Sequence, residues 1–185
     1  EFSLTGVKYL ISTIKLDLKH WHLLASDKDN FLYVHNNFQP LIFAVEKIKK
    51  IQDISNLFHN LESEIRDICK NQQLKSYAII ETKNEMSTVI SADDFEEFDI
   101  NAINQLKYQY FNDKIIIKLN TTKKQFLVVL ELFDDDWKLY INGKQTKFYK
   151  TNLFFRGFIA PAGENIIEFR YEPKSYFIGK IISVF

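Results

Sequence analysis

The sequence predicts an α+β fold dominated by β structure, with an antiparallel, jelly-roll-like β-sandwich in the second half and a smaller N-terminal α/β part containing one main helix. Three observations predict it. Short apolar runs rich in Ile, Val, Phe and Tyr recur at strand-like spacing from Leu106 to Tyr171. Strong turn signals, Asn142-Gly143 and Pro161–Glu164, separate several of them. A single segment, about residues 54–70, carries helical periodicity instead. We therefore divide the 185 residues into an α/β subdomain over 1–83 and a sandwich over 84–185, expected to form one compact unit.

In order along the chain, Gly6–Thr13 is β-rich with few helix formers and reads as a first strand. Trp21–Ser26 and Phe31–His35 read as two more, joined by the polar cluster Asp27–Asn30, which has the chemistry of an Asx turn. Asn36, Asn37 and Pro40 mark a loop before the apolar run Leu41–Val45. In the predicted helix, Asp53 or Ser55 can cap the N-terminus. Ile54, Leu57, Phe58, Leu61, Ile65, Ile68 and Cys69 recur at three- and four-residue spacing, opposite Glu62, Glu64, Arg66, Asp67 and Lys70.

Tyr77–Ile80 reads as a strand, and the acidic stretch Asp93–Asp99, broken by Phe95 and Phe98, as a loop. Strands are expected at Leu106–Phe111, Lys114–Leu119, Gln125–Phe133, Lys138–Asn142, Lys144–Tyr149, Leu153–Ala160 and Asn165–Tyr171. Asn142-Gly143 suits a two-residue type I′ hairpin turn, which needs positive φ at both positions. The tail Tyr176–Phe185 grows steadily apolar, as either a closing strand or the onset of a membrane helix.

Composition narrows the function. Lys plus Arg and Asp plus Glu number 24 each, for zero formal net charge, whereas gripping a nucleic-acid backbone requires a cationic excess. No nucleic-acid partner is expected. The lone Cys69 excludes an internal disulfide and a cysteine-based zinc site. No run approaches the roughly 20 apolar residues of a membrane-spanning helix, and the opening Glu1-Phe2-Ser3-Leu4 lacks a signal-peptide pattern. A soluble piece cut from a longer protein is the expectation.

Few residues suggest chemistry. His20-Trp21-His22 puts two imidazoles on one side of a strand, but no third ligand follows, so structural or surface histidines are expected there and at His35 and His59. Asp134-Asp135-Asp136 lacks the spaced pattern of a calcium loop and reads as a solvated connection. The acids of 93–99 have no spacing that would set two carboxylates across a sugar. No phosphate loop, nucleophile elbow or HExxH motif is present. Neither a catalytic residue nor a metal or cofactor is assigned. The set Trp137, Tyr140, Tyr149, Asn152, Phe155 and Arg156, with Phe154 beside it, can be read two ways. It supplies large side chains to a sandwich core, or it presents rings and donors as a glycan platform.

Larger motifs carry a resemblance. Asp136–Lys144 (DWKLYINGK), Tyr149–Arg156 (YKTNLFFR) and Ala160–Pro173 (APAGENIIEFRYEP) are followed by Phe177–Ser183 (FIGKIIS). Leu4–Ser12 (LTGVKYLIS) and Phe31–Asn37 (FLYVHNN) add to them. The chain resembles the C-terminal extracytoplasmic region of the YfhO-like family of bacterial multi-spanning membrane proteins. It departs at Thr151, where that family often has Ala, and at Gln39-Pro40-Leu41, where Pro-Arg is common, so no arginine role transfers there.

The resemblance implies a parent similar to C-type glycosyltransferases, which use lipid-linked sugars at the outer membrane face and hold their catalytic carboxylate near the first membrane helices. By that implication this segment is not an enzyme by itself. It would be an accessory domain on the extracytoplasmic face of the bacterial membrane. Its partners would be its own transmembrane domain, the adjacent membrane surface and the glycan or polymer acceptor of cell-envelope glycosylation. A free-standing carbohydrate-binding module and a purely structural interaction domain are the rival readings.

Overall fold

The computed structural model describes residues 7–36, 38–51, 77–81 and 95–183. Fifteen strands are described among them. The first three, β1 (Tyr9–Ser12), β2 (Trp21–Ser26) and β3 (Phe31–His35), form a small antiparallel sheet in the order β1-β3-β2. Its β2–β3 connection is the expected Asx turn: Asp27 Oδ1 accepts from the backbone N–H of Asp29 and of Asn30 at 2.9 and 2.8 Å. This sheet is thinly covered, with Tyr9, Ile11, Leu23 and Leu24 exposed.

Next come β4 (Ile42–Val45), β5 (Lys47–Ile51), β6 (Tyr77–Glu81) and β7 (Phe95–Glu97). After a 3-10 turn at Ile100–Ala102 follow β8 (Ile103–Tyr110), β9 (Lys114–Thr121), β10 (Gln125–Leu132) and β11 (Trp137–Ile141). The chain continues through β12 (Lys144–Thr146), β13 (Tyr149–Thr151), β14 (Phe155–Ala160) and β15 (Gly163–Tyr171) to one helix, α1 (Lys174–Ile182). Two sheets result: a seven-stranded one ordered β4-β10-β14-β13-β6-β5-β7 and a five-stranded one ordered β12-β11-β15-β9-β8. Strands from either side of residue 83 hydrogen-bond into the larger sheet.

The two sheets close on each other as a sandwich. Ile115, Ile117 and Leu119 of β9, Leu139 of β11, and Ile167 and Phe169 of β15 face Ile42, Leu127, Val129 and Phe158 of the larger sheet. Alternation along β9 and β15 fixes which side chains go inward, because successive strand residues point to opposite faces. On its other side the larger sheet buries a second cluster built from Phe43, Val45, Ile48, Ala78, Ile80, Phe98, Phe126 and Val128. β5 and β6 pair in parallel, which demands a long crossover connection. The helix expected at 54–70, with its caps and Cys69, falls in that connection and lies outside the described residues, as does His59.

The turn chemistry is as expected. Asn142 and Gly143 have φ of +51° and +79°, the type I′ pattern, and Gly163 sits at +103°. Asn142 also uses its side chain: its Oδ1 accepts from Ile166 N–H at 2.8 Å and its Nδ2 donates to buried Asn165 Oδ1 at 3.0 Å. The hairpin tip is thereby tied to β15.

Three expectations are corrected, and one left open is decided. Phe95–Glu97 is an edge strand, not a loop, because Lys47 and Lys50 on β5 and Lys124 neutralise its carboxylates. The single strand expected at Lys144–Tyr149 breaks after Thr146, and Tyr149 joins the other sheet in β13. His20 precedes β2 with φ of +74°, so strand alternation does not place it beside His22. Of the two readings of the tail, the helix forms. At nine residues, α1 spans roughly 14 Å at 1.5 Å per residue, and no helix among the described residues is long and apolar enough to cross a membrane.

Candidate functional site

The six residues of the expected platform do not share a surface. Side-chain alternation sends them to three places. Trp137, first residue of β11, points inward and packs on the sandwich core. Tyr140, three residues on, points outward from the five-stranded sheet. Tyr149 and Phe155 lie against the second cluster, on the far side of the larger sheet.

Asn152 is buried and serves the backbone. Its N–H donates to Ile79 O at 2.8 Å and its Oδ1 accepts from Ile79 N–H at 2.9 Å. This replaces a ladder rung between β6 and the β13–β14 turn, where Asn152 and Leu153 both have positive φ. Phe154 is exposed at the tip of that turn.

Arg156 is the unusual member. It lies on the inward face of β14 at only 2% exposure. Its guanidinium covers the Trp137 ring at 4.0 Å, with Phe169 at 5.7 Å. Its Nε donates to Leu132 O at 2.8 Å, and its buried Nη1 has no hydrogen-bond partner among the described residues. Burial lowers the guanidinium below its ordinary pKa, against the opposing pull of Glu131, Tyr110 and Asp134. Tyr110 in turn is raised, first by burial and then by its hydrogen bond to the Glu131 carboxylate. Arg156 thus holds together the end of the sandwich where β8, β10, β11 and β14 meet. β-strand alternation through Leu106, Tyr108 and Tyr110 was the sequence signal for the Tyr110 contact, but nothing local in sequence joins Tyr110 and Glu131 to Arg156.

On the outer face, Tyr140 belongs to a polar chain. Its hydroxyl donates to Glu172, with both carboxylate oxygens at 3.2 Å, and the Arg170 guanidinium lies 4.5 Å from its ring. Arg170 also donates from Nε and Nη2 to Glu168 Oε2 at 2.8 and 2.6 Å. The Tyr140 hydroxyl is raised by desolvation and by Glu172, while Glu168 raises Arg170. The arrangement is a hydrogen-bonding surface whose groups already satisfy one another.

Several of the acids and histidines the sequence singled out have structural partners among the described residues. Asp134 Oδ1 accepts from Asp136 N–H at 2.7 Å, closing the β10–β11 turn. His35 is buried with its ring edge-on to Trp21 at 4.9 Å, and Asn36 Nδ2 lies 2.6 Å from His22 Nε2. Among the described residues no group of three His, Cys, Asp or Glu side chains is placed to hold a metal ion.

Comparison with known proteins agrees with the motif pattern. A family model described as bacterial membrane protein YfhO matches residues 88–183, just over half of the chain. Over 78 residues the chain is 32% identical to an uncharacterized protein YfhO of Bacillus subtilis (strain 168). That match covers 42% of this chain and 9% of the relative, so the chain spans only a small part of the length of that protein. No solved structure matches. The chain belongs to the YfhO family of bacterial membrane proteins.

Proposed function

We propose that this sandwich is a water-facing, extracytoplasmic accessory domain of a membrane-embedded, glycosyltransferase-like protein, without catalytic chemistry of its own. The observation that carries the reading is the polarity of the five-stranded sheet in a chain of membrane-protein family. Its inner face is Ile115, Ile117, Leu119, Ile167 and Phe169, whereas its outer face carries Lys118, Asn120, Glu164, Glu168 and Arg170. A sheet built to sit in lipid has the reverse pattern, with apolar residues outward. The parent would draw sugar from a lipid-linked donor, and the domain would brace the embedded part and stand near the acceptor glycan.

Bracing is favoured over glycan gripping by one specific observation: Asn152 Oδ1, Arg156 Nε and the Tyr140 hydroxyl are already hydrogen-bonded to Ile79, Leu132 and Glu172. Placement is tested in the native gene product by Lys144→Cys, at the exposed hairpin tip, in a Cys69→Ser background. A membrane-impermeant maleimide should label intact cells; labelling only after lysis would refute an outward-facing domain. The glycan role is tested with Tyr140→Ala plus Arg170→Ala in the same protein. Unchanged envelope glycosylation supports bracing, and its loss supports a platform.

A further inference from the structure

The two ends of the sandwich differ in what they show to solvent. At one end the connections at residues 122–124 and 161–163 expose Thr122, Lys123, Lys124, Pro161 and Ala162. At the other end the exposed side chains include Tyr110, Phe111, Leu132, Phe154 and Tyr171, beside Asn112, Asp113, Asp134 and Asp135. Backbone hydrogen bonds bring these together: Phe111 N–H donates to Lys114 O, Tyr171 N–H to Asp113 O, and Phe133 N–H to Phe154 O. Tyr171 also packs on Trp137 at 5.3 Å, and α1 departs from this same end, two residues after β15. Leu132 is 67% exposed, while its strand neighbours Phe126 to Val129 are fully buried. A cluster of exposed apolar side chains of this kind marks an interaction surface.

We infer that this aromatic end rests on the lipid bilayer at its water–hydrocarbon boundary. The inference adds a defined contact to the accessory-domain reading and rests on it. Three things select lipid as the occupant. The match to the Bacillus relative covers 9% of that protein, so most of a membrane protein of this family lies outside the matched region and this domain has a membrane to face. The exposed set is Tyr and Phe with one Leu, the amphipathic ring chemistry that gathers at membrane–water interfaces. Charges at this end nearly cancel: Asp113, Asp134, Asp135, Asp136 and Glu172 stand against Lys114, Lys138, Lys174 and Lys180. Contact therefore comes from ring insertion, and headgroup charge contributes little.

The test is flotation of the 185-residue chain with phosphatidylcholine vesicles. Binding is expected, nearly insensitive to salt and to added anionic lipid. Phe111→Ser, Leu132→Ser and Phe154→Ser together should weaken partitioning about tenfold or more, while Lys123→Ser plus Lys124→Ser at the opposite end leave it unchanged. All five positions are exposed, so a cooperative thermal melt serves as the folding check on each variant. In a Trp21→Phe chain, lipids brominated near the headgroup should quench Trp137, which lies behind Tyr171. Failure to float, flotation equal in the triple variant, or binding abolished by salt would each overturn the inference. The Lys144→Cys labelling reads the accessory-domain assignment separately, so the two can fail independently.

Discussion

β10 and β15 are both interior strands with an antiparallel partner on each side, yet their register is set by different means. β15 alternates: Ile167 and Phe169 are fully buried, while Ile166 is half exposed. A one-residue slip would turn its whole apolar set to water, so the pattern alone fixes the pairing. β10 cannot work that way. From Phe126 to Val129 every residue is completely buried, with Leu127 and Val129 in the sandwich core and Phe126 and Val128 in the second cluster. Hydrophobicity would tolerate a slip there, and shape has to forbid it. Gly157 supplies the shape. Paired with Val128 on one side and Tyr149 on the other, it leaves room for the Phe126 ring and the Thr151 hydroxyl where a side chain would stand. Gln125 adds a polar pin, donating through Nε2 to Asp99 O at 2.8 Å.

The contrast is broken most directly by truncation on the opposite faces of each strand. Leu127→Ala and Leu130→Ala, on opposite sides of β10, should each cost about 2–5 kcal/mol in urea unfolding. Ile167→Ala should fall in the same range, whereas Ile166→Ala should cost less than about 1 kcal/mol. If Ile166 and Ile167 proved equally costly, the one-sided burial of the smaller sheet would be wrong.

Gly157→Ala sharpens the claim about shape. An added Cβ would collide with Thr151 Oγ1 and the Phe126 ring, an overpacking that costs about 1–3 kcal/mol. Because the Phe126 ring is one of the two obstacles, Phe126→Leu in the same chain should return part of that loss. A double-mutant cycle with no coupling would show that Gly157 is not there to admit Phe126.

The same division explains what could be read in advance. The strands with alternation or flanking turns were legible nearly to the residue: Trp21–Ser26, Phe31–His35, and the Asn142-Gly143 hairpin. β5 was not, since Lys47, Lys49 and Lys50 hide a strand that pairs with both β6 and β7 and in which Ile48 is fully buried. β7 looked like a solvated loop because its carboxylates are meaningful only beside those lysines, which are about fifty residues away in sequence (Lys47 with Glu97). The candidate site suffered most. Residue type grouped Arg156 and Trp137, which stack in the interior, with Tyr140 and Tyr149, which alternation and a strand crossing over to the other sheet carry to other faces. Which large apolar side chains reach solvent depended on where strands end, as at Leu132 and Phe154, and sequence patterns fix strand ends least well.

The smallest expected effect concerns the ionic edge itself, which the apolar interior strands do not share. Glu97 and Asp99 are held below the ordinary carboxylate range, chiefly by hydrogen bonds from Lys47 and Lys123 respectively. Burial alone would raise Glu96, but Lys124 and Lys50 together outweigh it and hold it low as well. Carboxylates whose folded pKa is depressed contribute stability that is present above their unfolded values, about 3.9 to 4.3, and lost as pH falls through the folded ones. These pairs are largely exposed, so the contribution is modest and screened by salt. Acidification from pH 6 to 3 should therefore loosen β7 before either interior strand. Hydrogen exchange is the measurement: the Phe98 amide, bonded to Glu46 O at 2.6 Å, should lose protection while those of β15 keep theirs. Replacing Lys47 and Lys124 with Met should weaken that pH dependence by raising Glu97 and Glu96 toward their ordinary values. If β7 and β15 lost protection together at the same pH, the edge would be held by packing of Phe98 and not by its charges.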